Sequence, residues 1–219
     1  MVSWCFSDSI LANRFSRFVQ IDDPNLTYFC DAEWIDIQAK EGNDLNALLD
    51  LCLKCHNDVL ANLPSDLRVG VHLCRGNFAG GMYVATGAYD RIAAKMFQDL
   101  DYRLYYMEYD SDRAGDFSAL QYLPVDKAAV LGVVTTKYAE SEDIDLLKAR
   151  VMNAAEMIAR GQGRSQEDAL RDNLAVSPQC GFASAADGSG VDMTEEIQWQ
   201  KLELLKRLAE DVWPSEVDR

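Results

Sequence analysis

Arg68-Val69-Gly70-Val71-His72-Leu73-Cys74-Arg75-Gly76-Asn77 decides how the rest of the chain is read. Its first half is β-branched and apolar and runs into a glycine-containing loop, the pattern of a short buried strand. Side chains two apart on a strand share a face, so His72 and Cys74 point the same way at its C-terminal end. A neutral imidazole beside a thiolate is a pairing that zinc favours. The competing reading is a core strand that tolerates a polar residue and buries a cysteine. The chain has only two histidines, which makes an incidental one here less expected.

Outward from this strand, the pattern alternates. Arg17-Phe18-Val19-Gln20-Ile21-Asp22-Asp23-Pro24 reads as a strand stopped by proline. Residues 43–63 carry Leu45, Leu48, Leu49, Cys52, Val59, Leu60 and Leu63 at helical spacing, with Asn43 or Asp44 as N-cap. Residues 86–100 form a second amphipathic helix, with Ile92, Ala93, Met96 and Phe97 inward. Tyr102-Arg103-Leu104-Tyr105-Tyr106-Met107-Glu108 is a third strand, its tyrosines read as packing, followed by a polar turn over residues 110–116. Ala128-Ala129-Val130-Leu131-Gly132-Val133-Val134 is a strand buried on both faces. A helix over residues 144–159, a surface loop over 160–168 and a strand over 173–177 lead to Pro178-Gln179-Cys180-Gly181. Residues 183–191 are small and flexible in composition. A last helix over 194–212 turns Ile197, Leu202, Leu205, Leu208 and Val212 inward.

This alternation predicts an α/β fold with about five parallel strands and crossover helices. In such sheets the working residues sit at the strands' C-terminal ends. Asp22, His72 with Cys74, Glu108 and Cys180 all fall there. A zinc ion held by His72, Cys74 and Cys180, with Glu108 as a displaceable fourth ligand, follows as the functional reading. Glu108 as a solvated strand end and Cys180 as a small buried residue is the alternative. A replaceable position is catalytic in style, and thiolate-rich ligation suits thiol activation better than water activation.

The chain has 219 residues, 48% of them hydrophobic, and a formal charge of −15, which argues against nucleic acid and anionic membrane surfaces. An anionic substrate would need local cations, for which Arg75, Arg113 and Lys137 are placed by sequence position. No apolar run reaches the ~18 residues of a membrane span, and residues 1–15 lack the pattern of a secretory signal. A reducing cytoplasmic location is the expectation, with the six cysteines free or metal-bound. Cys52-Leu53-Lys54-Cys55-His56 matches a haem-attachment or redox pattern, but it lies mid-helix and reads as a helix with buried cysteines.

Taken in order, Val19-Gln20-Ile21-Asp22-Asp23-Pro24, His72-Leu73-Cys74, Glu108, Leu131-Gly132-Val133-Val134 and Ser177-Pro178-Gln179-Cys180-Gly181 resemble the C-terminal catalytic domain of cobalamin-independent methionine synthase. The closer likeness is to its short single-domain relatives, which include epoxyalkane:coenzyme M transferase. The resemblance implies a partial TIM-type barrel over residues 17–213, after a lead-in at 1–16 and before a tail at 214–219, with the barrel's first strands missing. It implies zinc on His72, Cys74, Glu108 and Cys180, and Asp22 against the amino group of homocysteine. The implied reaction passes a methyl group from a methylated folate to homocysteine, giving methionine. Lys137 stands where the synthases carry a proton-donating histidine, and so takes the catalytic place. A full barrel needs eight strands, so a chain with five implies self-association, a complementing subunit, or a non-catalytic barrel remnant.

Overall fold

A computed structural model describes residues 18–76, 82–182 and 193–214. The lead-in 1–16, the small-residue segment 183–191 and most of the 214–219 tail lie outside the described residues.

Five strands form one open sheet in the order β1-β2-β3-β4-β5, every neighbouring pair parallel. They are β1 (Phe18–Asp22), β2 (Arg68–Leu73), β3 (Leu104–Glu108), β4 (Ala128–Val134) and β5 (Leu174–Pro178). Sequential parallel strands joined by helical crossovers are the construction of a TIM-type barrel, and this sheet is part of one, with β1 and β5 as its edges. The register places Asp22 beside His72, His72 beside Tyr106, and Glu108 beside Gly132, which in turn lies beside Ser177. The strand ends therefore line up as one rim.

The helices are α1 (Asn25–Tyr28), α2 (Ala32–Lys40), α3 (Leu45–Leu60), α4 (Asp90–Asp99), α5 (Ile144–Gln162), α6 (Gln166–Asn173) and α7 (Glu195–Val212). Five of these starts, those of α2, α3, α5, α6 and α7, are set by side-chain caps. Asp31, Asp44 and Asp143 each accept two backbone N–H groups of the first turn, while Ser165 and Thr194 each accept one. Val71, Leu73, Tyr105, Met107, Ala129, Leu131 and Val133 point outward from the sheet and are buried in the same core as Ile92, Met96, Phe97, Val151, Ile158 and Leu208 of the helices. The opposite, inner face carries Phe18, Gln20, Leu104, Tyr106 and Ala175, and is only half covered.

Several details differ from the sequence reading. The segment 160–168, expected as a surface loop, holds the end of α5 and the start of α6. Gly163 takes the left-handed conformation (φ 65°) as the C-cap, and Ser165 opens the next helix at once. Two helices, α1 and α2, occupy residues for which no element was expected. The second long helix starts at Asp90 rather than residue 86; Thr86 instead donates from both N and Oγ1 to Asp31 Oδ2. In α7, Leu202 is exposed while Lys201 is buried, its Nζ donating to the carbonyl of Glu140 and to Glu142. In α3, Cys55 is exposed and Cys52 half-buried, so the expected pair of buried cysteines is not there. Tyr106 faces the inner side next to His72 rather than packing in the core with Tyr102 and Tyr105.

His56, also on α3, ties the layers together: Nδ1 meets Tyr102 Oη at 2.8 Å and Nε2 bonds Asp23. Burial raises the Asp23 pKa, but the His56 hydrogen bond and charge, with the N–H groups of Asn25 and Leu26, outweigh it and hold it below the usual value. A carboxyl with a depressed folded pKa lends stability above its unfolded pKa of about 3.9, lost as pH falls through the folded value. Asp23→Asn is expected to cost about 1.5–3 kcal/mol at neutral pH, the scale of hydrogen bonds to a charged group. The deficit should shrink as pH falls below the ordinary carboxylate range, and urea midpoints of both proteins at neutral and acidic pH check it.

Candidate metal centre

The β2 exit carries His72 and Cys74, the β3 end carries Glu108, and the turn after β5 carries Cys180. One ligand atom from each of these four residues lies within 4.8 Å of all the others. The sequence placed the four at strand ends, and the parallel register is what draws them together. Glu108 is fully buried, so it is not a solvated strand end. Asp22 lies on the same rim, its side chain largely exposed.

His72 Nδ1 lies 2.8 Å from Asp22 Oδ1. A carboxylate only accepts, so Nδ1 carries the hydrogen and Nε2 is the atom turned to the cluster. Nε2 faces Glu108 Oε1 at 3.5 Å, and neither of these buried atoms has a hydrogen-bond partner among the described residues. Two buried orphan polar atoms facing each other are costly unless something joins them. The second carboxylate oxygen, Oε2, accepts from Arg113 Nη2 at 3.1 Å.

The protons of the cluster point the same way. Burial works against charge on His72, yet the hydrogen bond to Asp22 and the nearby Glu108 carboxylate outweigh it and push its pKa up to about 10. The Cys74 thiol donates to Cys180; this holds the Cys180 pKa down, while Cys74 is pushed up by the same bond and by burial. Two sulfurs, an imidazole and a carboxylate are a donor set that fits zinc.

Lys137 lies in the segment after β4 and is nearly buried. Its Nζ donates to the carbonyls of Gly76 at 3.0 Å and Met82 at 3.4 Å. Burial, and then the nearby Arg113 charge, hold its pKa below the usual lysine value. Arg75 is fully buried beneath the rim, donating to Tyr89 Oη and the Gly87 carbonyl, and is not presented to a substrate. Arg113 pairs through Nη2 with Glu108 and Asp110. A cavity of about 230 Å³ opens beside the cluster, lined by Gln20, His72, Tyr106, Gln179 and Cys180 among others. A larger one, about 790 Å³, lies at the opposite ends of the strands around Arg68, Leu104 and Ala128. Size does not decide between them: parallel barrels bind at the C-terminal rim, and the donors are there.

No family model matches the chain. Two proteins of Bacillus subtilis (strain 168) are similar to it: Uncharacterized protein YxjH is 35% identical over 198 residues, covering 90% of this chain and 49% of that protein. Uncharacterized protein YxjG is 36% identical over 215 residues, with 97% and 53% covered. The chain spans about half the length of the curated relatives it matches. Among solved structures, a Listeria monocytogenes protein assigned provisionally as a vitamin-B12-independent methionine synthase superposes with a TM-score of 0.62 at 29% identity, covering 90% of this chain and 48% of that one. The chain is similar to about half of that provisionally assigned synthase. A B12-independent methionine synthase from Shewanella sp. W3-18-1, solved with selenomethionine, gives the same TM-score at 14% identity, covering 93% and 50%, which is a likeness of fold.

The orienting partners of the cluster were not foreseen. Asp22 was read as a substrate contact, and its bond to His72 becomes evident only from the β1–β2 register. Arg113 on Glu108 depends on a 3₁₀ turn, Asp112–Ala114, that folds residue 113 back over residue 108. A carboxylate and an arginine five residues apart with a glycine after them, at Gly115, were the available signal. Among the described residues no helix is long and apolar enough to cross a membrane.

Proposed function

We propose that this chain carries the zinc centre of a thiol alkyltransferase, and that its favoured reaction is methyl transfer from a methylated folate to homocysteine, giving methionine. The observation that carries the reading is the cluster of His72, Cys74, Glu108 and Cys180 with two buried ligand atoms, His72 Nε2 and Glu108 Oε1, left without hydrogen bonds among the described residues. The likeness to methionine synthase supports the substrate class. Zinc, when bound, supplies a Lewis acid that keeps a substrate thiol deprotonated near neutral pH.

The chain's own residues do the rest. Asp22 holds the His72 ring through Oδ1, and its exposed carboxylate is placed to meet the ammonium of an amino-acid thiol. The cavity beside Tyr106 and Gln20 gives that small molecule room and orients its sulfur. Lys137, in place of the synthases' histidine, is the proton donor; burial lowers its pKa in the direction an acid working near neutrality needs.

The test is metal content of the purified protein, followed by methionine formation from homocysteine and methylated folate. About one zinc per chain with turnover is expected; a protein that takes up no metal overturns the reading. Lys137→Met should lower kcat by about 10² or more, the scale of general acid catalysis, with zinc content and homocysteine KM little changed. A narrower likeness to the short relatives would substitute another thiol for homocysteine, and a panel of thiols in the same assay decides. A second reading is a barrel portion that holds the donors but turns over only when completed by a second copy or a complementing subunit. It is favoured by the open sheet, whose β1 and β5 edges and half-covered inner face, with Phe18 38% exposed, resemble an unfinished barrel. Size measurement and assay of the same sample separate the two. A cytoplasmic setting fits the thiol chemistry of either.

A further inference from the structure

The two oxygens of Glu108 are treated differently. Oε2 accepts from Arg113 Nη2 at 3.1 Å, whereas Oε1 faces His72 and has no hydrogen-bond partner among the described residues. Arg113 is correspondingly half-used. The same Nη2 also donates to Asp110 Oδ1 at 2.9 Å, and the guanidinium lies over the Tyr83 ring at 5.0 Å. Its buried Nε has no partner among the described residues. A guanidinium grips a carboxylate best side-on, through Nε and one Nη in parallel. Here one of those two positions is taken and the other is not, although both donor and acceptor are out of water.

We propose that Arg113 is a dock for the Glu108 carboxylate: Glu108 turns Oε1 from the cluster onto Arg113 Nε when a substrate thiol enters beside His72, Cys74 and Cys180. This rests on the thiol-transfer reading above. The exchange balances. The thiol gives its proton to the buffer and enters as an anion, and one carboxylate leaves the cluster for a waiting cation, so the cluster's own charge is unchanged. Without Arg113, the departing carboxylate would be a buried charge with no partner, which is costly. Arg113 is therefore a positioning residue that makes the fourth ligand displaceable, and it predicts a split between metal affinity and thiol affinity. A purely structural arginine would shift both or neither.

The experiment loads metal-free protein with cobalt(II) and titrates its visible spectrum with L-homocysteine, for the parent, Arg113→Met and Arg113→Lys, with folding checked by circular dichroism. Arg113→Met is expected to keep or tighten cobalt binding while weakening thiol uptake about 10- to 100-fold, the scale of one charge-assisted hydrogen bond. Arg113→Lys, a point charge without the fork, should fall between. Parental thiol affinity in Arg113→Met overturns the proposal. So does loss of cobalt from folded Arg113→Met, which would make Arg113 only a prop for Glu108. Should Arg113→Met not fold, Arg113→Lys decides, since parental thiol uptake there is equally fatal. A parent that binds cobalt but no thiol, or no cobalt, sinks the thiol-transfer reading instead.

Discussion

His72→Ala is expected to abolish stoichiometric zinc binding at micromolar protein, while Asp22→Ala binds zinc with affinity reduced by about 10- to 100-fold. The two belong together because they separate a ligand from the residue that aims it. His72 Nε2 is buried and has no protein partner among the described residues, so its removal takes away a donor that nothing nearby replaces. Among the described residues Asp22 hydrogen-bonds the cluster through the ring: its Oδ1 holds the Nδ1 hydrogen, fixing tautomer and orientation. Loss of that bond leaves the donor in place but frees it to rotate and lowers its basicity. Asp22→Asn keeps an acceptor at the same position and should retain most of the affinity. Competition with a chromophoric chelator measures all three proteins. Equal affinities for the parent and His72→Ala would remove His72 from the centre, and with it the reason for grouping the four residues.

What could be read beforehand and what could not divide along a physical line. The five strands announce themselves because unbroken β-branched and apolar runs such as 128–134 have few other homes than a sheet covered on both sides. Once the strands are parallel and sequential, the convergence of residues 22, 72, 74, 108 and 180 follows from topology, with no knowledge of side-chain packing. Features decided by tertiary contacts were illegible. Lys201 is buried because its ammonium finds Glu142 and the Glu140 carbonyl from a segment some 60 positions earlier, so periodicity assigned its neighbour Leu202 inward instead. His56 looked like part of a haem-attachment motif, whereas Asp23 and Tyr102, both remote in sequence, give it a structural role. The break at Gly163 was taken for a loop because a glycine beside charged residues reads as surface; the serine cap two residues later, which restarts a helix, was overlooked.

Gly132→Ala tests whether sheet and centre are one mechanical unit, and is expected to damage both. Gly132 sits in β4 between Glu108 and Ser177, next to the chain as it leaves β5. A Cβ there would lie 2.9 Å from the Cα of Gln179, 3.1 Å from the carbonyl oxygen of Met107 and 3.2 Å from that of Gln179. All three are backbone atoms, so no rotamer change relieves the contact and the strands must separate. Overpacking of this kind typically costs about 1–3 kcal/mol. The direction of the strain matters more than its size, because Met107 precedes Glu108 and Gln179 precedes Cys180. One methyl group thus pushes apart the two segments that bring a carboxylate and a sulfur to the same point. Gly161→Ala is the comparison: its Cβ would meet the Gln121 carbonyl oxygen at 1.7 Å, a harder clash, but between α5 and the 3₁₀ turn Ser118–Tyr122 on the outer layer. Urea unfolding should show both variants destabilised, Gly161→Ala at least as much as Gly132→Ala. Zinc affinity of the folded fraction should fall in Gly132→Ala alone. Equal zinc affinity in the two would mean that the donors tolerate movement of the strands that carry them.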